Sequence, residues 1–231
     1  MPKVLITGSS RGIGLALTQV FAEKGWNVIA TCRKPARART LREFARSRPQ
    51  VRIWDLDVVN VDSIEGLKES LGDEKIDVLL NNAGIYGERT GQSFGGLAYP
   101  SWREAFNVNT LGPIKMAETF FDQVRMSERK MIATISTMMS SLVENLEGGH
   151  YIYRSTKAAL NMALKNLSID MKPYGITVLI LHPGWVRTDM GGEEAPLSPS
   201  ESASGLYEVI SNASIRDTGK FCTYDGKTIP W

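Results

Sequence analysis

Short apolar runs alternate with longer segments of helical periodicity along most of the chain. Val4-Leu5-Ile6, Val28-Ile29-Ala30, Val51 to Trp54, Val78-Leu79-Leu80, Met131 to Ile135 and Ile176 to Leu181 read as strands. Most are continuous rather than alternating in polarity, the pattern of a parallel sheet covered on both faces. Between them, Ile13, Leu17, Val20 and Phe21 fall on one helical stripe, and Ile64, Leu67 and Leu71 on another. Thr40-Leu41-Arg42-Glu43, Ser101-Trp102-Arg103-Glu104 and Ser198-Pro199-Ser200-Glu201 each fit a capping box and predict helix starts. The last also has proline at the first helical position. With no linker, low-complexity stretch or internal repeat, this alternation predicts one doubly wound α/β domain over residues 1–231, a parallel sheet with helices on both faces. Ligands of such sheets sit at the carboxyl ends of the strands.

Composition narrows the function classes. The 231 residues are 42% apolar and 23% charged, ordinary for a globular chain and unlike a disordered one. No apolar run approaches the ~20 residues of a membrane helix, and the first residues lack the apolar core of a secretion signal. Cys32 and Cys222 lie far apart, and His150 and His182 are the only histidines. Neither a metal site nor a disulfide framework is expected, and a cytoplasmic location is. With 27 basic and 25 acidic side chains, the net charge of +2 gives no general reason to bind nucleic acid or an anionic membrane. That average hides one segment. From Arg33 to Arg52 there are eight basic residues and a single acid, Glu43.

The chemistry begins at Thr7-Gly8-Ser9-Ser10-Arg11-Gly12-Ile13-Gly14, between the first strand and the first helix. Glycines permit a tight turn and let backbone N–H groups approach a phosphate, and the helix N-terminus adds partial positive charge. No Gly-Lys-Ser/Thr follows, which argues against a P-loop NTPase. The second strand ends Cys32-Arg33-Lys34, where an NAD enzyme of this fold usually carries an acid. Two cations there suit a 2′-phosphate instead, and Arg11 can approach the same group. We assign Arg33 and Arg11 to it, with Lys34 as a weaker candidate. The later arginines read as a solvated helix face carried by Leu41 and Phe44. A polyanion-binding role for the segment stays open, although only Phe44 is available for stacking.

Tyr153-Arg154-Ser155-Thr156-Lys157 places a phenol and an ammonium on one helix face. A nearby Lys157 ammonium and the positive nicotinamide of an oxidised cofactor both favour tyrosinate, so the Tyr153 pKa should fall from about 10. A phenol tuned this way can donate a proton to a carbonyl oxygen. Pro113 lacks an N–H, so the carbonyl of Asn109, four residues earlier, loses its helical donor and is free to hold water.

The Thr-Gly-x-x-x-Gly-Ile-Gly spacing resembles the short-chain dehydrogenase/reductase family. So do Asn81-Asn82-Ala83-Gly84, Tyr153-x-x-x-Lys157 and Pro183-Gly184-Trp185-Val186-Arg187-Thr188. The resemblance covers essentially the whole chain. Gly148-Gly149-His150-Tyr151-Ile152-Tyr153 and Asp225 to Trp231 are similar to carbonyl reductases of the sniffer and C-factor type.

It implies a Rossmann-type fold, NADP as cofactor and a small carbonyl compound as substrate. Tyr153, Lys157, Asn109 and a hydroxyl at the end of the fifth strand would be catalytic. Cofactor contacts would come from Gly8, Ser10, Arg11, Gly12, Ile13, Gly14 and Arg33, and from Asn82, Ala83 and Gly84. Asp57 would bond the adenine amino group and Val58 pack on its ring. Tyr153, Lys157, Pro183, Gly184, Val186 and Thr188 would hold the nicotinamide end.

For the hydroxyl, the family's Ser-Ser-x-x-Gly motif aligns Thr137 with the active position, while a thirteen-residue spacing to the tyrosine selects Ser140. Strand-end position favours Thr137, with Ser136 and Ser140 left as alternatives. The C-factor likeness and Thr137 also motivate a nucleotide-binding signalling protein with little turnover. Ala158, Ala159, Met162 and Ala163 suggest a homodimer or homotetramer through the helix after Lys157. Asp189 to Pro199 is a short lid that implies an open site. Tyr86, Tyr99, Trp102, Met138, Met139 and Trp185 are candidates for an apolar pocket, His150 reads as a loop residue, and His182 as structural.

Overall fold

The computed structural model describes residues 1–88 and 94–231. Seven parallel strands form one sheet in the order β3-β2-β1-β4-β5-β6-β7. They are β1 (Lys3–Ile6), β2 (Asn27–Cys32), β3 (Val51–Asp55), β4 (Val78–Asn81), β5 (Met131–Ile135), β6 (Thr177–His182) and β7 (Lys220–Thr223). The helices are α1 (Gly12–Glu23), α2 (Arg39–Arg46), α3 (Val61–Leu71), α4 (Tyr99–Phe106), α5 (Gly112–Thr119), α6 (Phe121–Arg125), α7 (Tyr151–Met171) and α8 (Pro199–Asn212).

The continuous apolar strands serve two cores because successive side chains point to opposite faces. Val4, Ile6, Val78 and Leu80 join Leu17, Phe21, Leu206 and Ile210 of α1 and α8. Leu5 and Leu79 join Ile64, Met116 and Leu160 of α3, α5 and α7. This is the doubly wound arrangement expected. Strand order reverses between β1 and β4, which opens a crevice at the carboxyl ends.

Three local expectations need correction. β7 was not anticipated: it is a four-residue edge strand in which only Phe221 and Cys222 are buried, too short to stand out as an apolar run. The capping box at Ser198 forms, but those at Thr40 and Ser101 do not. α2 starts at Arg39 after a 3-10 turn over Pro35–Arg37, and α4 starts at Tyr99 with Pro100 in its first turn. Both polar residues therefore lie inside the helix rather than at its cap. Between α4 and α5 the chain makes a π turn, Asn107–Leu111, where Gly112 N–H bonds the carbonyl of Asn107. Among the described residues no helix is long and apolar enough to cross a membrane.

Candidate active site

A groove of about 970 Å³ runs along the carboxyl ends of the strands. The catalytic and cofactor-binding residues expected at the site line it, except Asn109 and the weaker candidate Lys34. Its floor is stitched by the first glycine turn. The Thr7 hydroxyl accepts the N–H groups of Asn82 and Ala83, both at 3.0 Å, and the Asn82 amide donates to the carbonyls of Thr7 (2.9 Å) and Gly8 (3.2 Å). A Cβ on Gly14 would lie 2.2 Å from the Gly8 carbonyl oxygen, so glycine is needed for this closure. Gly8 and Gly12 take positive φ (73° and 55°), which they adopt without steric cost.

The N-terminus of α1 opens onto the groove beside Ser10 and Ile13. Arg11 at its cap makes no side-chain cap hydrogen bond, and the first turn holds no acid. Those N–H groups and the helix dipole suit an anion. Arg11 and Arg33 line one end together with Asp57 and Val58. Asp57 Oδ1 accepts from the Val59 N–H at 3.2 Å. Arg11 itself pairs with Asp189 of the loop after β6. The same loop brings Thr188 Cγ2 to within 3.2 Å of where a Gly12 Cβ would stand. This donor set, with two arginines and an uncapped helix terminus along one groove, fits a dinucleotide carrying an extra phosphate.

At the other end lie Thr137, Tyr153 and Lys157. Thr137 follows β5; its hydroxyl accepts the Met139 N–H at 3.2 Å and acts on the Tyr153 phenol, partly offsetting the rise that burial causes. Ser136 and Ser140 are occupied elsewhere. Ser136 donates to Asn161 Oδ1 at 2.6 Å, and the Asn161 amide donates to Ser140 Oγ at 2.7 Å. Lys157 Nζ donates to the Ile135 carbonyl at 2.8 Å, and burial pulls its pKa down to about 8.

Burial also pushes the Tyr153 phenol well above its ordinary value, and Tyr86 adds to the rise. This runs against the fall expected from the Lys157 ammonium. Desolvation dominates, and the Lys157 ammonium, turned to Ile135, is not among the groups acting on the phenol.

Asn109 is fully buried behind the groove. Its side-chain amide bonds both the N–H and the C=O of Ile85 at 2.8 Å and donates to Thr156 Oγ1 at 3.1 Å. It thus bolts the segment after β4 to α7. A Cβ on Gly84 would lie 3.3 Å from Asn109 Oδ1 and 3.6 Å from Lys157 Nζ, so these groups share one small space.

Tyr86, Met138, Met139 and Trp185 line the groove as expected of an apolar pocket, whereas Tyr99 and Trp102 do not. Trp102 Nε1 instead donates to Ser155 Oγ at 2.8 Å, with Tyr99 stacked on its ring. Their spacing could not tell the outer side of α4 from the groove side.

Sequence reasoning missed several partners. Glu88 Oε1 accepts the N–H groups of Ile152 (2.6 Å) and Tyr153 (2.9 Å) and so holds the first turn of α7. Tyr86 Oη lies 2.6 Å from His150 Nδ1. His182 lines the groove with Nδ1 buried and unpaired, and burial lowers its pKa to about 4. These contacts join distant segments and leave no signature in local spacing.

The family model described as short chain dehydrogenase matches residues 2–197. The C-signal of Myxococcus xanthus is 38% identical over 156 residues, 68% of this chain and 93% of that protein. Among solved structures, the carbonyl reductase Sniffer of D. melanogaster superposes with a TM-score of 0.92 at 32% identity, covering both chains fully. The NADPH-bound carbonyl reductase from chicken fatty liver gives 0.91 at 32% identity, covering 100% of this chain and 99% of that one.

Proposed function

The chain belongs to the short-chain dehydrogenase family, and on that premise we propose that it is an NADPH-dependent reductase of aldehydes and ketones. The observation that carries this reading is one groove that brings Thr137, Tyr153 and Lys157 together and also presents Arg11, Arg33 and an uncapped helix terminus. It is supported by the likeness to carbonyl reductases, one of them solved with NADPH.

Arg33 and Arg11 take the 2′-phosphate, Asp57 the adenine amino group and Val58 the adenine ring. The α1 N-terminus with Gly8, Ser10, Gly12, Ile13 and Gly14 holds the diphosphate. Asn82, Ala83 and Gly84 let the dinucleotide lie close to the backbone. Pro183, Gly184, Val186 and Thr188 border the nicotinamide end, and Lys157 holds the ribose. The reduced nicotinamide, when bound, supplies a hydride to the carbonyl carbon.

Thr137 holds the substrate oxygen, and Tyr153 gives that oxygen its proton, so the product is an alcohol. A phenol whose pKa is raised by burial keeps its proton at neutral pH and has one to give. The Asn109 carbonyl completes the path that returns a proton.

We also place the chain in the cytoplasm and propose that it self-associates through α7, where Met162 and Ile169 are 64% and 61% exposed. A second reading, a nucleotide-bound signalling protein with little turnover, draws on the likeness to C-signal. NADPH oxidation against a panel of aldehydes, ketones, diketones and quinones separates the two. Carbonyl-dependent turnover supports the reductase, and its absence across the panel supports the second reading.

A further inference from the structure

Tyr86 and His150 form a built pair beside the Tyr153 phenol. The Tyr86 ring packs on the Tyr153 ring, with centroids 4.9 Å apart, and its hydroxyl meets His150 Nδ1 at 2.6 Å. The surrounding backbone holds this arrangement. Glu88, two residues after Tyr86, binds the first N–H groups of α7. Gly87 has φ of 82°, and a Cβ there would stand 2.6 Å from Ile152 Cγ2, so the segment carrying Tyr86 lies hard against α7. His150 caps α7 in the left-handed region (φ 47°), yet its side chain makes no cap hydrogen bond. Its ring is turned to Tyr86 instead. Tyr86 lines the groove, whereas His150 stands outside it and is exposed.

We propose that Tyr86, anchored by His150, is a second substrate-positioning group that selects carbonyl compounds bearing a hydroxyl next to the carbonyl. The inference rests on the reductase reading and adds the substrate class.

A phenol oxygen can donate once and also accept. His150 uses one of these directions. Depending on the imidazole tautomer, the capacity left toward the groove is that of an acceptor or a donor. A substrate hydroxyl both donates and accepts, so it pairs with Tyr86 in either case. An alkyl group at the same place leaves that remaining capacity unmet, in a groove that Met138 and Met139 also line. Glu88 and Arg154 are the charged groups that act on the Tyr86 hydroxyl, with opposite signs.

The test is the ratio of kcat/KM for 2-hydroxyacetophenone over propiophenone, two ketones of nearly the same shape. Tyr86→Phe removes only the hydroxyl and keeps the ring on Tyr153. His150→Gly removes the imidazole while tolerating the left-handed backbone. The ratio is expected to fall about tenfold in Tyr86→Phe and about threefold in His150→Gly, mainly through KM. A merely structural role would depress both substrates together and leave the ratio alone. An unchanged ratio in both variants, with propiophenone still reduced by the wild type, overturns the proposal and leaves the reductase reading standing. Failure of the wild type on both ketones overturns this proposal, and failure across aldehydes, diketones and quinones as well overturns the reductase reading with it.

Discussion

Arg11 of the glycine turn and Asp189 of the loop after β6 form an ion pair across the groove, although 178 residues separate them in sequence. The side chains are 77% and 73% exposed, so water and salt screen the pair and it contributes at most about 1 kcal/mol to stability. Its consequence is competition. If Arg11 also serves the cofactor's 2′-phosphate, Asp189 holds it back. Asp189→Asn should then tighten NADPH binding about twofold to fivefold at low salt, and less at high salt. Fluorescence titration of NADPH at two ionic strengths measures this, and weaker binding in the variant would refute it.

Arg33 carries the cofactor choice more directly, because an arginine stands where an NAD enzyme places an acid. A charge-assisted contact to phosphate is worth about 1.5–3 kcal/mol. Arg33→Ala should raise KM for NADPH by about tenfold to a hundredfold and leave KM for NADH within about twofold. Equal losses with both cofactors would remove Arg33 from this role.

Lys157 gives a stability prediction whose sign follows from its pKa. Folding brings it from the ordinary 10.5 to about 8 through burial. Between these values the unfolded chain binds more protons than the folded one, so this group makes unfolding free energy rise with pH from about 8 to 10.5. Below pH 8 the full cost of the buried charge is present. Lys157→Met removes that cost and the pH dependence together. Denaturant titrations at pH 7, 8.5 and 10 should show wild type gaining on the variant as pH rises. Parallel curves would contradict the buried ammonium. Turnover by the variant should fall at least about a hundredfold at every pH.

The hydroxyls after β5 divide by partner. Thr137 faces Tyr153, whereas Ser140 belongs to the buried network with Asn161. Thr137→Ala should lower kcat by about tenfold to a hundredfold with little change in Tm, and Thr137→Ser should recover most of it. Ser140→Ala should cost about 1–3 kcal/mol of stability by leaving the Asn161 amide unpaired. The reverse pattern would move the substrate oxygen from Thr137 to Ser140.

What sequence could show and what it could not divide along physical lines. The sheet was legible because both its faces are covered over most of its width, which writes most of its strands as continuous apolar runs. β7 was not, because an edge strand with two buried residues writes almost nothing. The Ser198 cap was legible because proline and glutamate reinforce it. Thr40 and Ser101 have the same local spacing but are overridden by turns that start each helix earlier. Glycines and the Tyr153–Lys157 pair have fixed spacing and could be found. The Arg11–Asp189, Tyr86–His150 and Asn109–Ile85 contacts depend on how distant segments meet. The Tyr153 shift runs against the effect of Lys157 for a related reason. The neighbouring charge could be read from the helix, but the desolvation that outweighs it is a property of the packed groove.

The central claim is that Tyr153 supplies the proton in an NADPH-dependent carbonyl reduction. Its most direct test is carbonyl-dependent NADPH oxidation by Tyr153→Phe, a change that removes one oxygen and keeps the ring against Tyr86. The account predicts that kcat falls by about 10²-fold or more, while NADPH still binds and Tm is held. Turnover by the variant at the wild-type rate, on a carbonyl that the wild type reduces, would contradict it.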